Sequence, residues 1–314
     1  MSRQKEKALQ HVLGRLPGVR VTWDADMGAW STFRAGGRAA ALAVVEEERA
    51  LAVLLADLQD HGLDWRVIGR GSNILVRGGG FPGVIIVLGA SFGEIALLEE
   101  ANATEEEVKI RVGAACPAAR LVGWCSRRGL AGIEFLIGIP GSVGGAIRMN
   151  AGAWGGEIGD HVRRVFCVDT RGRSHELETG MMKFSYRRLE ILAPEVGQAV
   201  ITGGVLGLRR EEPRRIIERC RTFLRERRAR QPVNMPSAGS FFRNPPGDSA
   251  GRLIDAAGLK GLRKGDAMVS DKHANFIVNV GRATPEDIIG LMEEVRDTVL
   301  ARTGVLLEPE VEIV

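Results

Sequence analysis

Apolar residues recur at helical spacing in "KEKALQHVLGRLPG", residues 5–18, which predicts an amphipathic helix closed by Pro-Gly. "AALAVVEEERALAVLLADLQDHG" predicts a short strand and then a helix, and "WRVIGRGSNILVRGGGFPGVIIVLG" three strands separated by two glycine-rich turns. "EEEVKIRVGAACPAARLVGWCSRRG" adds a strand and a helix. Two strands, "VRRVFCVDTRGRSHEL" and "AVITGGVLGLRR", flank an irregular "MMKFSYRRLE". The charged helix "EPRRIIERCRTFLRERRARQP" marks a boundary to a last domain. That domain ends in a strand, "HANFIVNVG", and a helix with Thr284 as N-cap, Pro285 at its first position and Gly304 as its stop. No internal repeat or low-complexity tract interrupts this order, and 314 residues suit two or three modest domains.

One stretch fits neither period. "IGIPGSVGGAIRMNAGAWGGEIG", residues 137–159, holds eight glycines. Bare backbone serves where φ must be positive or where a flat or anionic ligand approaches the main-chain N–H groups. The alternative is a set of tight turns between strands.

A hydrophobic content of 45% with 26% charged residues is ordinary for a globular protein, and a net charge of +4 suits anionic partners without choosing among them. Four cysteines without C-x-x-C spacing and five histidines without H-E-x-x-H suggest neither a disulfide framework nor a metal site. Reduced thiols, no apolar leader segment and no run of eighteen apolar residues predict a cytoplasmic protein that is neither exported nor membrane-spanning.

"GGGFPG", residues 78–83, satisfies G-x-G-x-x-G, but a dinucleotide fingerprint opens a helix, whereas strand-like "VIIVLG" follows here. No P-loop occurs. The turns "IGRGSN" (68–73) and "GIPGSVGG" (138–145) remain, able to offer N–H groups to a pyrophosphate, with Ser72, Asn73, Ser142 and Asn150 as side-chain donors. In "VLLEPEVEI" alternation puts Val305, Leu307, Val311 and Ile313 on one face and Glu308, Glu310 and Glu312 on the other.

"STFRAGG", "VIGRGSNILV", "GIEFLIGIPGSVGGAIRMNAGA", "FSYRR", "AGSFFRNP", "AGRLIDAAGLKG", "DKHANFIVN" and "LEPEVE" resemble, in order and spacing, the UDP-N-acetylenolpyruvoylglucosamine reductase family over residues 22–314. The resemblance implies an α+β chain: an N-terminal helix (1–21), an FAD-binding domain of the vanillyl-alcohol-oxidase (PCMH) type (22–210, subdomains about 22–95 and 96–210), and a C-terminal substrate domain (211–314). It implies non-covalent FAD held by Arg34, Gly69, Arg70, Gly71, Ser72, Asn73, Gly138, Pro140, Gly141, Ser142, Gly144, Gly145, Asn150 and Gly152. NADPH and UDP-N-acetylglucosamine enolpyruvate are the implied partners, taken in alternation; a metal, nucleic acid, a membrane or an obligate protein partner is not implied.

Carried over by position, the catalytic set is Ser240, Arg187 and Glu310. Hydride attack on the enol ether builds charge beside a carboxylate. A permanently charged Arg187 suits that carboxylate, Ser240 can give the adjacent carbon its proton, and Glu310 assists. Tyr186, Arg227, Arg230, Asn244, Lys272 and His273 are the implied substrate contacts. Tyr186 is the only tyrosine, which fits the shorter branch that lacks a tyrosine loop. Two positions depart from the family pattern: Leu189 replaces a small hydroxyl residue, and Ser31 an asparagine. Two rivals come from elsewhere: an FAD-dependent oxidase of the same superfamily, and a nucleic-acid-binding protein suggested by ten arginines in residues 209–230. No RNA- or DNA-binding signature interleaves aromatics with those arginines, so a solvated helix face accounts for them.

Overall fold

The computed structural model describes residues 3–14, 16–98 and 107–314; Arg15 of the opening helix and Glu105 and Glu106 of the fourth segment lie outside them. The chain divides into two compact units that interleave in sequence: 1–22, 42–69 and 83–225 form one, and 23–41, 70–82 and 226–314 the other. Residues 23–41 and 70–82 thus lie with the C-terminal residues, where a linear reading places them in an N-terminal subdomain. The cause is apolar burial: Phe33 and Leu75 are fully buried in the same core as Phe241, Leu253, Leu291 and Val295. The opening helix Arg3–Leu13 likewise belongs to the first unit, burying Leu9, Val12 and Leu13.

The first unit is built on an antiparallel sheet in the order Ser174–Glu178, Val162–Asp169, Ala199–Arg210, Val108–Gly113 and Ile95–Leu97. The short strand Leu130–Ala131 pairs with the far end of Ala199–Arg210. The helix Ala118–Arg127 buries Leu121, Val122 and Cys125 against this sheet's core. The segment read as irregular is a hairpin. Met182–Ser185 pairs with Arg188–Ile191, and Phe184 and Leu189 face each other across it. The glycine stretch contains a short helix, Val143–Arg148, that its composition concealed.

In the second unit, three antiparallel strands (Arg263–Lys264, Ala267–Val269 and Ile277–Asn279) accompany the helices Ala250–Ala256 and Pro285–Thr303. The long helix begins in a reciprocal box, in which Thr284 Oγ1 accepts from Asp287 N and the Asp287 carboxylate accepts from Thr284 N. Glu312–Ile313 pairs in parallel with Ile74–Leu75, which brings the chain's last residues beside the first glycine turn. Strands Val19–Asp26, Arg38–Val45, Phe81–Leu88 and Trp65–Ile68 form a further four-stranded sheet in that order.

Candidate functional site

Gly69 of the first glycine turn meets the second glycine turn within the first unit. Gly69 lies so close to Ser142 that a Cβ on it would stand 2.4 Å from Ser142 Oγ, so only bare backbone fits there. Ser142 is the N-cap of Val143–Arg148 and accepts from Gly145 N. The helix amides are already engaged: Val143 N donates to Cys116 O at 2.8 Å and Gly144 N to Ala114 O at 2.9 Å. The turn can therefore offer a ligand only N–H groups that precede Val143. Gly144 is glycine for an internal reason, because its Cβ would lie 2.7 Å from that of Ala114. Part of the bare backbone that the sequence assigns to a cofactor thus serves packing. Gly69, Gly138 and Pro140 are exposed beside this junction, Gly141 and Gly152 half-buried. An exposed rim of glycine backbone over a capped turn has the donor chemistry and the openness that a dinucleotide pyrophosphate requires, so Gly69, Gly138 and Gly141 fit FAD, with Pro140 shaping the turn rather than donating.

Asn150 is engaged within the protein. Its backbone is left-handed (φ 41°), it is 1% exposed, its Oδ1 accepts from Gly159 N at 3.0 Å and its Nδ2 donates to Ser185 O at 3.1 Å. The side chain that the resemblance counts as a cofactor contact holds the hairpin that carries Arg187. Arg148 adds a second tie, from Nη1 to Leu189 O at 2.8 Å. Leu189 is 2% exposed, so the position where the family has a hydroxyl is a core position here.

Arg187 occupies the second residue of the two-residue turn between Ser185 and Arg188, with φ 57°. An L residue other than Asn or Asp in that region carries strain, on the order of 1–3 kcal/mol. Its guanidinium donates from Nη1 to Gly152 O at 3.5 Å and lies 5.3 Å from the Tyr186 ring centre, while Tyr186 itself is exposed.

In the second unit the structure brings Ser240 and Glu310 onto adjoining segments. Phe241 O accepts from Glu310 N at 2.8 Å, and Arg243 N donates to Glu308 O at 2.9 Å. Phe242 and Pro309 bridge antiparallel between these bonds. Glu310 is held from a second side, because Asn73 Nδ2 donates to its carbonyl at 3.1 Å and Glu312 N donates to Asn73 O at 3.0 Å. This bond directs the Asn73 amide, counted as a cofactor donor, toward the C-terminal segment. The alternation read in "VLLEPEVEI" appears as burial of Leu307 and Val311, with Glu308 and Glu312 exposed and Glu310 half-buried.

Arg34 is exposed in a left-handed turn (φ 55°) whose Ser31 hydroxyl accepts from Phe33 N. Arg70 is exposed, Gly71 buried and Ser72 half-buried. Burial pushes the Arg227 guanidinium down from its ordinary value, and its Nη1 donates to Gln231 Oε1 at 2.9 Å. Arg230 is exposed; Asn244 Oδ1 accepts from Ala250 N at the start of the helix Ala250–Ala256. Lys272 reaches Arg228 O. His273 packs edge-on to Phe276, and burial, then the charge of Lys260, push its imidazole down. Arg148 and Asn275 are the residues that sequence reasoning missed. The signal for Asn275 was present as a polar residue inside the apolar run "ANFIV".

The "GGGFPG" turn leads into the strand Phe81–Leu88, and Gly78 N donates to Glu286 Oε1 at 3.0 Å. It is a structural turn. Among the described residues, no group of three or more His, Cys, Asp or Glu is placed to hold a metal ion, and no helix is long and apolar enough to cross a membrane.

A family model described as "FAD binding domain" matches residues 39–178, and one described as "UDP-N-acetylenolpyruvoylglucosamine reductase, C-terminal domain" matches residues 231–314. Together with the turn geometry, these define the chain as an FAD-dependent oxidoreductase. The UDP-N-acetylenolpyruvoylglucosamine reductase of Alkalilimnicola ehrlichii is 44% identical over 302 residues, covering 95% of each chain. Reductase 2 of Symbiobacterium thermophilum is 41% identical, over 90% of this chain and 88% of its own. The crystal structure of UDP-N-acetylenolpyruvylglucosamine reductase from Thermus caldophilus superposes with a TM-score of 0.76 at 36% identity, covering 94% of this chain and 98% of that one. The chain belongs to the UDP-N-acetylenolpyruvoylglucosamine reductase family.

Proposed function

We propose that this protein reduces UDP-N-acetylglucosamine enolpyruvate to UDP-N-acetylmuramate with NADPH, through FAD. The observation that carries the reading is full-length kinship: 44% identity over 95% of the chain, with both family models in register. The main-chain amides of Gly69, Gly138 and Gly141 would hold the FAD pyrophosphate. Bound FAD supplies the hydride that it has taken from NADPH.

The chain's own residues act on the substrate. Arg187 receives the carboxylate with its planar fork, and holds the negative charge that collects there when the terminal carbon gains hydride, a contribution of about 3–4 kcal/mol by comparison with single oxyanion-hole donors. Ser240 Oγ hands its proton to the neighbouring carbon. Glu310, whose main chain is bonded to the Ser240 segment, supports that transfer. Arg230, Lys272 and Arg227 supply cationic contacts for diphosphate, and Asn244, Tyr186 and His273 complete the set. Four cysteines, free and buried with thiols raised by burial (Cys125 to about 12, Cys167 to about 11), support a reducing, cytoplasmic setting.

No dinucleotide-binding motif remains for NADPH, so it shares the substrate's cationic residues. Steady-state kinetics test this directly. Double-reciprocal plots should be parallel, with excess enolpyruvyl nucleotide inhibiting competitively against NADPH. Intersecting lines without substrate inhibition would overturn the shared-site reading.

A further inference from the structure

We infer that Asn275 is the positioning residue for Ser240; the inference rests on the reading of Ser240 as proton donor. Asn275 is 3% exposed, and it treats two consecutive residues as a neighbouring strand would. Its main-chain O accepts from Phe241 N at 2.8 Å, its Oδ1 accepts from Phe242 N at 2.9 Å, and its Nδ2 donates to Phe242 O at 2.8 Å. The remaining groups of this strip are bonded on the other side, Phe241 O to Glu310 N and Arg243 N to Glu308 O. Phe241 and Phe242 are 0% and 1% exposed, so water cannot replace these bonds.

Ser240 stands immediately upstream, after Gly239 in the left-handed region (φ 80°). Among the described residues, no regular main-chain pairing fixes Ser240 from the Gly239 side. Its placement relative to Glu310 is therefore set by the Phe241–Phe242 strip, and among the described residues Asn275 alone pairs that strip on the side away from Glu310. Asn275 is itself fixed. Ser270 Oγ accepts from Lys272 N and His273 N, Ser270 N donates to Phe276 O at 2.8 Å, and Asn275 N donates to His273 Nδ1 at 3.3 Å. A side-chain amide is required, because one end must accept from an N–H and the other must donate to a carbonyl.

The test is Asn275→Asp in the flavin-loaded full chain, with Ser240→Ala as control. An ionised carboxylate still accepts from Phe242 N–H but repels Phe242 C=O; protonated, it donates again. At neutral pH, flavin reduction by NADPH should stay near wild type. Reoxidation by the enolpyruvyl nucleotide should fall about 10- to 100-fold, as for a displaced catalytic group, and recover as the pH is lowered and the introduced carboxyl protonates. Amide exchange supplies a readout apart from activity: the Phe242 N–H should exchange faster in Asn275→Ala than in wild type. Should Asn275→Asp fold poorly, Asn275→Gln, with both groups on a longer arm, should give the same split between half-reactions. Equal loss in both half-reactions in either variant, or a split in Asn275→Asp without acid recovery, would assign Asn275 a merely structural role and overturn the inference. If Ser240→Ala slows reoxidation and Asn275→Asp does not, the inference alone fails. If Ser240→Ala leaves reoxidation at wild type, the reading of Ser240 fails and the inference with it.

Discussion

Ser240 and Arg187 reach their places by opposite backbone devices. Ser240 precedes an extended strip whose amides and carbonyls are paired on both sides, so regular hydrogen bonding fixes its register. Arg187 sits at a turn residue with φ 57°, a conformation kept by ties from Asn150 and Arg148 to the strands on either side. The proposed proton donor is placed by unstrained geometry, the proposed charge holder by strain that its surroundings override. A side-chain amide is nevertheless the buried clamp in both regions. Asparagine can join an acceptor and a donor to two strands of backbone without adding charge, which suits a core that must stay apolar.

Removing each functional group should break the comparison most. Ser240→Ala should leave flavin reduction by NADPH near wild type and slow reoxidation by substrate by about 10⁴-fold, at or beyond the upper end for general acid catalysis; stopped-flow absorbance checks both phases, and equal slowing would make Ser240 a flavin-positioning group. Arg187→Lys keeps the charge and loses the fork. Turnover should fall about 10²- to 10³-fold, with the loss again in reoxidation; a loss confined to KM would show that Arg187 binds the substrate uniformly.

Two substitutions away from both regions test whether lost stability alone could mimic these effects. Burial would raise the Asp169 carboxyl, but the amides of Arg173 and Arg171 and the side chains of His175 and Arg173 outweigh it and hold the group well below the ordinary carboxylate range. A carboxyl depressed in the folded state stabilises fully above its unfolded pKa, and the benefit is lost as pH falls through the folded one. Asp169→Asn should therefore cost roughly 2–3 kcal/mol at neutral pH, with the deficit shrinking under strong acid. Urea melts over a pH series measure it, and the ratio of the two half-reaction rates should not move.

Asn150→Ala should slow reoxidation about 10-fold by freeing the Arg187 hairpin, with flavin content unchanged. Loss of bound flavin instead would return Asn150 to the cofactor role read from its motif. The smallest effect belongs to Thr284→Ala, which removes an N-cap for about 1 kcal/mol in a thermal melt and leaves both half-reactions alone.

The long periodic elements were legible in sequence because local signals agreed with tertiary burial. The helix Pro285–Thr303 begins after Thr284 and stops at Gly304 as its capping residues dictate, and the strand after "GGGFPG" excluded a dinucleotide fingerprint. Two features were hidden. The helix Val143–Arg148 has two glycines and a valine in its first three positions, so propensity argued against it, and its stability comes from Ser142 capping and from amides donated to Cys116 and Ala114. The membership of 23–41 and 70–82 in the C-terminal unit depends on long-range burial of Phe33 and Leu75, which no local pattern encodes. At the candidate site, residue types carried the chemistry of Ser240, Arg187 and Glu310, but the clamps Asn150 and Asn275 emerge only from which backbone atoms their amides meet.

The central claim is that one flavin passes reducing equivalents from NADPH to an enolpyruvyl nucleotide, and sequential anaerobic mixing tests it. NADPH should bleach the yellow absorbance of the purified protein. After removal of excess NADPH, UDP-N-acetylglucosamine enolpyruvate should restore that absorbance without oxygen, and the nucleotide recovered should be UDP-N-acetylmuramate. Absorbance that returns only when oxygen is admitted, with the enolpyruvyl nucleotide unchanged, would contradict the account and assign the protein to the flavin oxidases.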